Sequence, residues 1–521
     1  MFRRHSNDEV SPQEAARLRD QGAVLVDVRE GDEWAAGHAP GAVHVPLGEV
    51  SNAASRFDGH QVLTVCRSGG RSAKAAEILV AVGVNVRYVA AVIDPQRDID
   101  RIEALLAERE LRLTHVFETH VHNDYVTGGL ELARRTGAAY VLAAADEVAY
   151  EHTGARDGDE FAVGDLVVRA VHTPGHTPTH LSYVVVQAGE PVAAFTGGSM
   201  LYGTVGRTDL ISTETTEELT RAQFHSVRRL AKELPGEVGV HPTHGFGSFC
   251  SSASSSGSDA STIGQERQSN LALTLHDEDA FVAELLSGLT AYPRYYAHMA
   301  PINRAGPAPV DLSPPGPVDP AEIRRRIHAG EWVVDLRSRT AFARGHLAGT
   351  VNLEVGGSFA TYLGWTLRWG TPVTLVGDTT EQVAEAQRQM VRIGIDRPAG
   401  RAEGGIDTWA AGGDVRSYRT ATFADLADAS ADDAVVVLDV RRDDEWAEGR
   451  VVGALHIPLH ELEEGLDEVP DAQVWVHCAS GYRASIAASL LDRAGHDTVA
   501  IDDEWAAAAK HDALGATSGE S

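Results

Sequence analysis

Short apolar runs that end on a charge dominate the hydrophobic pattern along the chain. Val24-Leu25-Val26 runs into Asp27-Val28-Arg29, Val333-Val334 into Asp335-Leu336-Arg337, and Val437-Leu438 into Asp439-Val440-Arg441. Runs of this length, bounded by polar residues, read as buried parallel strands. In each copy a glycine (Gly41, Gly349, Gly453) lies fourteen residues beyond the aspartate. The first and last copies also share Glu33-Trp34 and Glu445-Trp446. One pattern at one spacing, three times over, predicts three homologous α/β units. Between the first two lies a different block, in which strand-like runs (113–117, 166–171, 181–186, 192–195) alternate with helical stretches such as 99–109 and 131–135. Residues 251–261 are Ser-rich and read as a mobile loop. Residues 301–320 hold seven of the 21 prolines and read as a stiff linker. A short polar stretch near 411–421 separates the last two repeats. The predicted division is 1–91 for the first repeat and 92–300 for the intervening block. A linker over 301–317 follows, then repeats over 318–415 and 420–521.

The first and last repeats share a second feature. A strand Val62-Leu63-Thr64-Val65 leads into Cys66-Arg67-Ser68-Gly69-Gly70-Arg71, and Val474-Trp475-Val476-His477 leads into Cys478-Ala479-Ser480-Gly481-Tyr482-Arg483. A helical stretch follows each, and each cysteine lies thirty-nine residues beyond the strand aspartate. A cysteine at a strand end, with loop N–H groups and a helix N-terminus around it, is stabilised as the thiolate. The glycine lets the loop close tightly, and the closing arginine adds a fixed positive charge. Such a site suits attack on a sulfane sulfur and then holding the anionic persulfide. The bland alternative, a buried cysteine used as a small apolar side chain, loses ground because two sites carry the same CxxGxR pattern.

These loops, with the Asp-Val-Arg strand and the Glu-Trp segment, resemble the rhodanese sulfurtransferase family over residues 8–90, 318–415 and 420–515. The resemblance implies that Cys66 and Cys478 carry the transferred sulfur while Arg71 and Arg483 close the loops. In the middle repeat the corresponding strand runs into Gly377-Asp378-Thr379-Thr380 with no cysteine, so a packing or interaction role is expected there. The first repeat reads as incomplete at its end, or as packed tightly on the next block. Trp505 lies twenty-two residues beyond Arg483, but the same step from Arg71 reaches Ile93, already inside Ile93-Asp94-Pro95.

The intervening block is rich in histidine. A strand leads into His120-Val121-His122-Asn123-Asp124-Tyr125, where alternation puts His120, His122 and Asp124 on one side. His176 follows Thr173-Pro174-Gly175, and His244 closes His241-Pro242-Thr243-His244. Histidines with a carboxylate suit zinc or iron rather than calcium or magnesium. The block resembles the metallo-β-lactamase superfamily over residues 92–250, and in particular its persulfide dioxygenases. The segments that carry the likeness are 93–95, 120–125, 173–176 and Gly206-Arg207-Thr208-Asp209. The resemblance implies an αββα sandwich. It also implies one iron, held by two histidines and an aspartate, that oxidises glutathione persulfide to sulfite; the histidines carry over to His120 and His176. The family's aspartate falls on Gly198 here, and Tyr125 stands where hydrolase relatives place a second-metal ligand. A dinuclear zinc hydrolase is therefore disfavoured. A mononuclear site on His120 and His176, helped by His122, Asp124 or His244, stands against a degenerate, metal-free one. Arg207 and Asp209 read equally as a structural pair or a substrate contact, Cys250 as structural, and Trp365 with Trp369 as one helix face on a core.

Charge and cysteine usage narrow the classes further. With 45 Lys+Arg against 75 Asp+Glu, the net charge of −30 disfavours binding to nucleic acid or anionic membranes. Three cysteines in 521 residues are no disulfide framework and point to a reducing compartment. No apolar run of about 18 residues would span a bilayer, and residues 1–9 lack the apolar core of a signal peptide. The expectation is a cytoplasmic α/β and α+β multidomain protein. It comprises three rhodanese-like doubly wound α/β domains and one metallo-β-lactamase αββα sandwich. Its expected partners are small-molecule sulfur donors and thiols, with glutathione as co-substrate, one Fe(II) (zinc as the alternative), no nucleic acid, no membrane, and room for a homodimer. The alternatives are a thioester hydrolase of the metallo-β-lactamase fold and a persulfide sensor or carrier.

Overall fold

The structure, a computed structural model, describes residues 23–57, 62–66, 88–244, 260–429 and 435–511, together with 15, 17–19, 71, 74–75, 514–515 and 517–518. Cys250 and most of the Ser-rich tract lie outside the described residues. The chain forms two compact units, Met1–Val89 with Leu106–Arg112, and Ala90–Leu105 with Leu113–Ser521.

In the first unit the strands are β1 (Val24–Asp27), β2 (Val43–His44) and β3 (Val62–Val65), all parallel in the order β2-β1-β3. Val26, Val28, Val45, Val50 and Phe57 form its core, with Cys66 packed against it. Asp27, wholly buried at the end of β1, accepts from the backbone N–H, Nε and Nη2 of Arg29. The same Arg29 donates to the carbonyl of Gly37 at 2.8 Å. This explains why Asp and Arg recur two apart: one ion pair locks the strand end to the loop beyond it.

In the second unit the histidine block holds two sheets. The first has the order β4 (Tyr88–Ile93), β5 (Leu111–Phe117), β6 (Ala139–Ala143) and β7 (Thr153–Ala155). The second comprises β8 (Glu160–Val163), β9 (Leu166–His172), β10 (Leu181–Gln187), β11 (Glu190–Gly197), β12 (Gly239–Pro242) and β13 (Ser261–Thr262), in reverse order across the sheet. The runs read as strands all fall inside these elements, and the predicted helices appear at Asp100–Glu108 and Gly129–Thr136. The boundary placed at 91/92 runs through β4. Its apolar run, which by position would end the first repeat, belongs instead to the sheet of the next block. The linker placed at 301–317 begins inside the helix Tyr296–Ala305, with Pro301 in the helix interior.

The middle and last repeats repeat the topology of the first with more strands. The middle sheet runs Val351–Asn352, Trp332–Asp335, Val373–Val376, Gly400–Ala402. The last runs Leu455–His456, Val435–Asp439, Gln473–His477, Thr498–Ile501, Arg419–Ala421. Among the described residues the first sheet has three strands where these have four and five. Both carry the same lock, Asp335–Arg337 with the Gly345 carbonyl and Asp439–Arg441 with the Gly449 carbonyl. The two repeats share one continuous core that includes Val334, Leu375 and Phe359 from one side and Leu438, Val476 and Leu491 from the other. Trp365 is buried, but Trp369 lies beyond the helix Phe359–Thr366 and stacks on His298, so the two do not form one helix face.

Candidate metal centre and cysteine loops

Strand ends deliver the histidines. The loop after β5 carries Thr119, His120, His122 and Asp124; His176 follows β9, Gly198 follows β11, and His244 follows β12. Main-chain bonds tie these loops together: Leu181 N–H to the Thr119 carbonyl at 2.8 Å and Thr243 N–H to the Gly197 carbonyl at 3.1 Å. His120, His122, His176 and His244 are all buried. His120, His122 and His244 each offer a ligand nitrogen within 4.8 Å of one another. The His176 ring borders the group, 4.7 Å from His120 and 5.0 Å from His244 between centroids.

Hydrogen bonds set the tautomers. Thr119 Oγ1 donates to Asp94 Oδ2 at 2.7 Å, so it accepts from His120 Nδ1 at 2.8 Å and leaves the Nε2 lone pair exposed. His176 Nδ1 donates to the Arg207 carbonyl at 2.7 Å, which leaves its Nε2 as an acceptor. His244 Nδ1 faces Asp124 Oδ2 at 3.1 Å, and its Nε2 faces His120 Nε2 at 3.4 Å. A proton or a metal ion between them would satisfy both nitrogens. His122 Nε2 faces Asp94 Oδ1 at 3.2 Å, Glu118 Oε2 at 3.0 Å and the Tyr125 hydroxyl at 2.9 Å. His122 Nδ1, His176 Nε2 and Asp124 Oδ1 are buried without a partner. Unpaired buried polar atoms are rare and call for a ligand. Their concentration around converging nitrogens fits iron or zinc.

Electrostatics agree with this for His120 and His176, which are held neutral, whereas His122 must give up a proton to bind a metal. Burial, with the neighbouring histidines, drives His120 well below the usual imidazole range and His176 to about 3. Burial also opposes charge on His122, but Asp94 and Glu118 outweigh it and hold its pKa near 10. Burial raises the Glu118 carboxyl to about 7. Asp94 sits at φ 50°, a left-handed conformation unusual for a non-glycine residue, and bonds Thr119 N–H, Thr119 Oγ1 and Thr243 Oγ1.

His122 and His244 bring ligand nitrogens to His120, and the His176 ring lies nearer to His120 than the His244 ring does, 4.7 against 5.4 Å between centroids. Asp124 bonds His244 instead of standing among the convergent nitrogens. A Cβ at Gly198 would lie 2.2 Å from His176 Cδ2, so the His176 ring fills the space an aspartate at 198 would need. Arg207 and Asp209 pair at 2.7 Å, and Arg207 also donates to the Thr290 carbonyl at 2.8 Å, a bracing role within the fold. Glu118 and His180 were not singled out by the sequence reading. His180 Nε2 accepts from Gly198 N–H at 3.0 Å; only its place four residues after His176 could have drawn attention to it.

Cys478 is buried and ends the strand Gln473–His477, directly before the helix Tyr482–Ala494. Gly481, at φ 87°, makes the turn; a Cβ there would lie 2.2 Å from Asp502 Oδ1. Arg483 forks onto Glu445 at 2.5 and 2.7 Å, as Arg71 does onto Glu33 at 2.6 and 2.9 Å. The positive charge expected at the loop is therefore balanced by a glutamate, and the arginine clamps the loop. Within the loop of the first repeat only Cys66 and Arg71 are described. Trp446 stacks on His456 at 4.4 Å, as Trp34 does on His44 at 4.7 Å. The middle repeat has Ala341 at the glutamate position and lacks both clamp and nucleophile. Its Tyr362 and Trp365, with Arg442, His460 and Arg483 of the last repeat, line a narrow cleft beside the cysteine loop.

The rhodanese-like domain model matches residues 11–91, 319–412 and 422–507, and the metallo-beta-lactamase superfamily model matches residues 90–234. Persulfide dioxygenase ETHE1, mitochondrial, of Homo sapiens is 30% identical over 192 residues, 36% of this chain and 68% of that protein. A hydroxyacylglutathione hydrolase of Methylococcus capsulatus is 34% identical over 158 residues, 30% of this chain and 57% of that protein. Among solved structures, a metallo-beta-lactamase from Staphylococcus aureus is 29% identical with a TM-score of 0.54, covering 60% of this chain and 91% of that one.

Proposed function

Because the chain belongs to the rhodanese-like family over three domains and to the metallo-β-lactamase superfamily over a fourth, and so to the enzymes of sulfur metabolism, we propose that it couples persulfide transfer to persulfide oxidation. One observation carries this reading: a single compact unit holds both a buried group of histidine donors and a cysteine on a clamped CxxGxR loop.

At the cysteine, the Cys478 thiolate attacks the outer sulfur of thiosulfate or of a small persulfide. The donor's S–S bond breaks, sulfite or a thiolate leaves, and Cys478 holds the sulfur as a persulfide. The N-terminus of the helix Tyr482–Ala494 stabilises that anion. A thiol such as glutathione then takes the outer sulfur and regenerates Cys478. Cys66, on the matching loop of the first repeat, is assigned the same role. Arg71 and Arg483 hold the loops in shape.

At the histidine cluster, His120, His122 and His244, with His176 and Asp124 beside them, would hold one iron, or zinc as the alternative. Iron supplies the activation of dioxygen there. The net conversion is one persulfide, one dioxygen and one water to one thiol and sulfite. Thr119, Asp94 and the Arg207 carbonyl keep the ring nitrogens of His120 and His176 aimed inward. Tyr125, buried against His122, occupies the place of a second-metal ligand, which weighs against a dinuclear thioester hydrolase.

The test is sulfur loading. Full-length protein incubated with thiosulfate and desalted should gain the mass of one sulfur on Cys478, and cyanide should remove it. A chain that gains no sulfur with its cysteines reduced would end the transferase half of the proposal.

A further inference from the structure

Asn303 uses every polar atom of its side chain on the metal-binding loop. Its Oδ1 accepts from Thr127 N–H at 3.0 Å, and its Nδ2 donates to the carbonyls of His122 and Tyr125, each at 2.9 Å. It is buried, and it lies in the helix Tyr296–Ala305, outside the 90–234 stretch of the metallo-beta-lactamase match. What seats that helix is the cysteine-less repeat. Tyr295, Tyr296 and Met299 pack with Val126 of the loop and Ile393 of the repeat in one buried cluster. Val126 N–H donates to the Arg392 carbonyl at 2.7 Å. The Arg392 guanidinium forks onto the wholly buried Asp98 at 2.6 and 3.0 Å, Arg388 onto Asp100 at 2.6 and 2.7 Å, and Arg97 pairs with Asp396. Residues 94–100 and 122–127, the segments that flank the site, are both fixed by groups outside the histidine block.

We propose that Asn303 is a positioning residue for the metal-binding loop and that the cysteine-less repeat braces the loop through it. A repeat without a cysteine thereby has the work of holding the neighbouring site in shape. The inference rests on the metal reading given above. Removing the amide would leave the His122 and Tyr125 carbonyls without that donor and let the backbone carrying His120 and His122 relax. Partners that orient metal ligands typically change affinity by about ten- to a hundred-fold.

The experiment is Co(II) titration of the full chain, followed by the ligand-field absorption of the bound ion, for wild type, Asn303→Asp and Asn303→Ala. Aspartate keeps the size and the acceptor for Thr127 but has no N–H to give. The proposal predicts Co(II) binding weakened by about ten-fold or more and a shifted absorption band in both variants. Sulfur loading at Cys478 should stay within about two-fold of wild type, which reports that the unit is folded. Equal affinity and an unchanged band overturn the proposal alone. A wild-type chain that takes up no cobalt overturns the metal reading, and the proposal with it. Should both variants fail to fold, hydrogen exchange on the wild-type chain decides. Val126 and Thr127 amides protected like those of β5 support the brace, and amides exchanging at open-loop rates overturn it.

Discussion

At the scale of residues, the ion pair between Arg483 and Glu445 decides how the cysteine loop is held. The guanidinium is planar and forked, so its bidentate grip on a carboxylate has no lysine equivalent. Arg483→Lys is expected to leave Cys478 in place but lower the rate of sulfur transfer to cyanide by about ten-fold, without loss of the folded state. A second consequence concerns His477. The other repeats have Val65 and Val376 at this place, whereas His477 is wholly buried and stacked on Trp505, with neither ring nitrogen hydrogen-bonded and its Nε2 3.6 Å from Asp439 Oδ2. Burial lowers its pKa from 6.5 to about 4. Between those values the unfolded chain binds a proton that the folded chain refuses. Stability therefore falls as pH drops from about 6.5 to about 4, by up to about 3 kcal/mol from this group. His477→Val should flatten that part of the pH–melting curve; an unchanged slope would show that His477 is not buried neutral.

The residues with chemistry of their own were legible because they sit in short motifs with fixed spacing: Cys66 and Cys478 in their loops, His120, His122 and Asp124 in one tripartite motif. What the sequence hides is their support. The partners of His122 and of its loop are Asp94, which sits in a segment that carries the family likeness, and Glu118 and Asn303, the last 181 positions away, which nothing in their local context marks. Arg483 was visible, but not that Glu445 neutralises it, because that pairing depends on the fold bringing the two side chains together.

At the scale of elements, strand ends do the positioning. β5, β9, β11 and β12 each hand over one piece of the histidine site at the point where the ladder stops, so side chains on short loops inherit the rigidity of the sheets. Gly198, next to the end of β11, shows how little slack remains. A methyl group there meets the His176 ring well inside van der Waals contact. Gly198→Ala is expected to destabilise the protein by about 1–3 kcal/mol and to weaken metal uptake together, because His176 must move. A melting midpoint and metal content equal to wild type would contradict that placement. The apolar runs read as strands all became strands, but others such as Ala139–Ala143, Thr153–Ala155 and Glu160–Val163 were not read. An uninterrupted run such as Tyr88–Ile93 carries no mark of which sheet it joins; it pairs in the sheet of the histidine block.

At the scale of the whole molecule, the last two repeats are one folded object with a shared core. Hydrogen bonds cross it as well, from the Asn352 N–H to Ser489 Oγ and from the Tyr482 hydroxyl to the Glu354 carbonyl. A chain ending before residue 417 would expose Leu363, Leu375, Val383 and their neighbours to water, and should be insoluble or melt far below the full chain. A soluble truncation with native-like melting would show that the shared core is dispensable. The threefold repeat was readable from spacing alone. That two of its members merge was not, because each copy carries enough apolar residues to be read as a separate domain. No helix of the described residues is long and apolar enough to cross a membrane.

The central claim is that one chain both moves and oxidises persulfide sulfur, and one measurement bears on it most directly. Full-length protein, purified without air and loaded with iron, is given glutathione persulfide while oxygen uptake, sulfite and metal content are followed. The account predicts about one iron per chain and oxygen consumption matched by sulfite, with uptake lost in His120→Ala while sulfur loading at Cys478 persists. A chain that retains no metal and consumes no oxygen, yet still loads sulfur, would contradict it and leave a sulfurtransferase built around a silent scaffold.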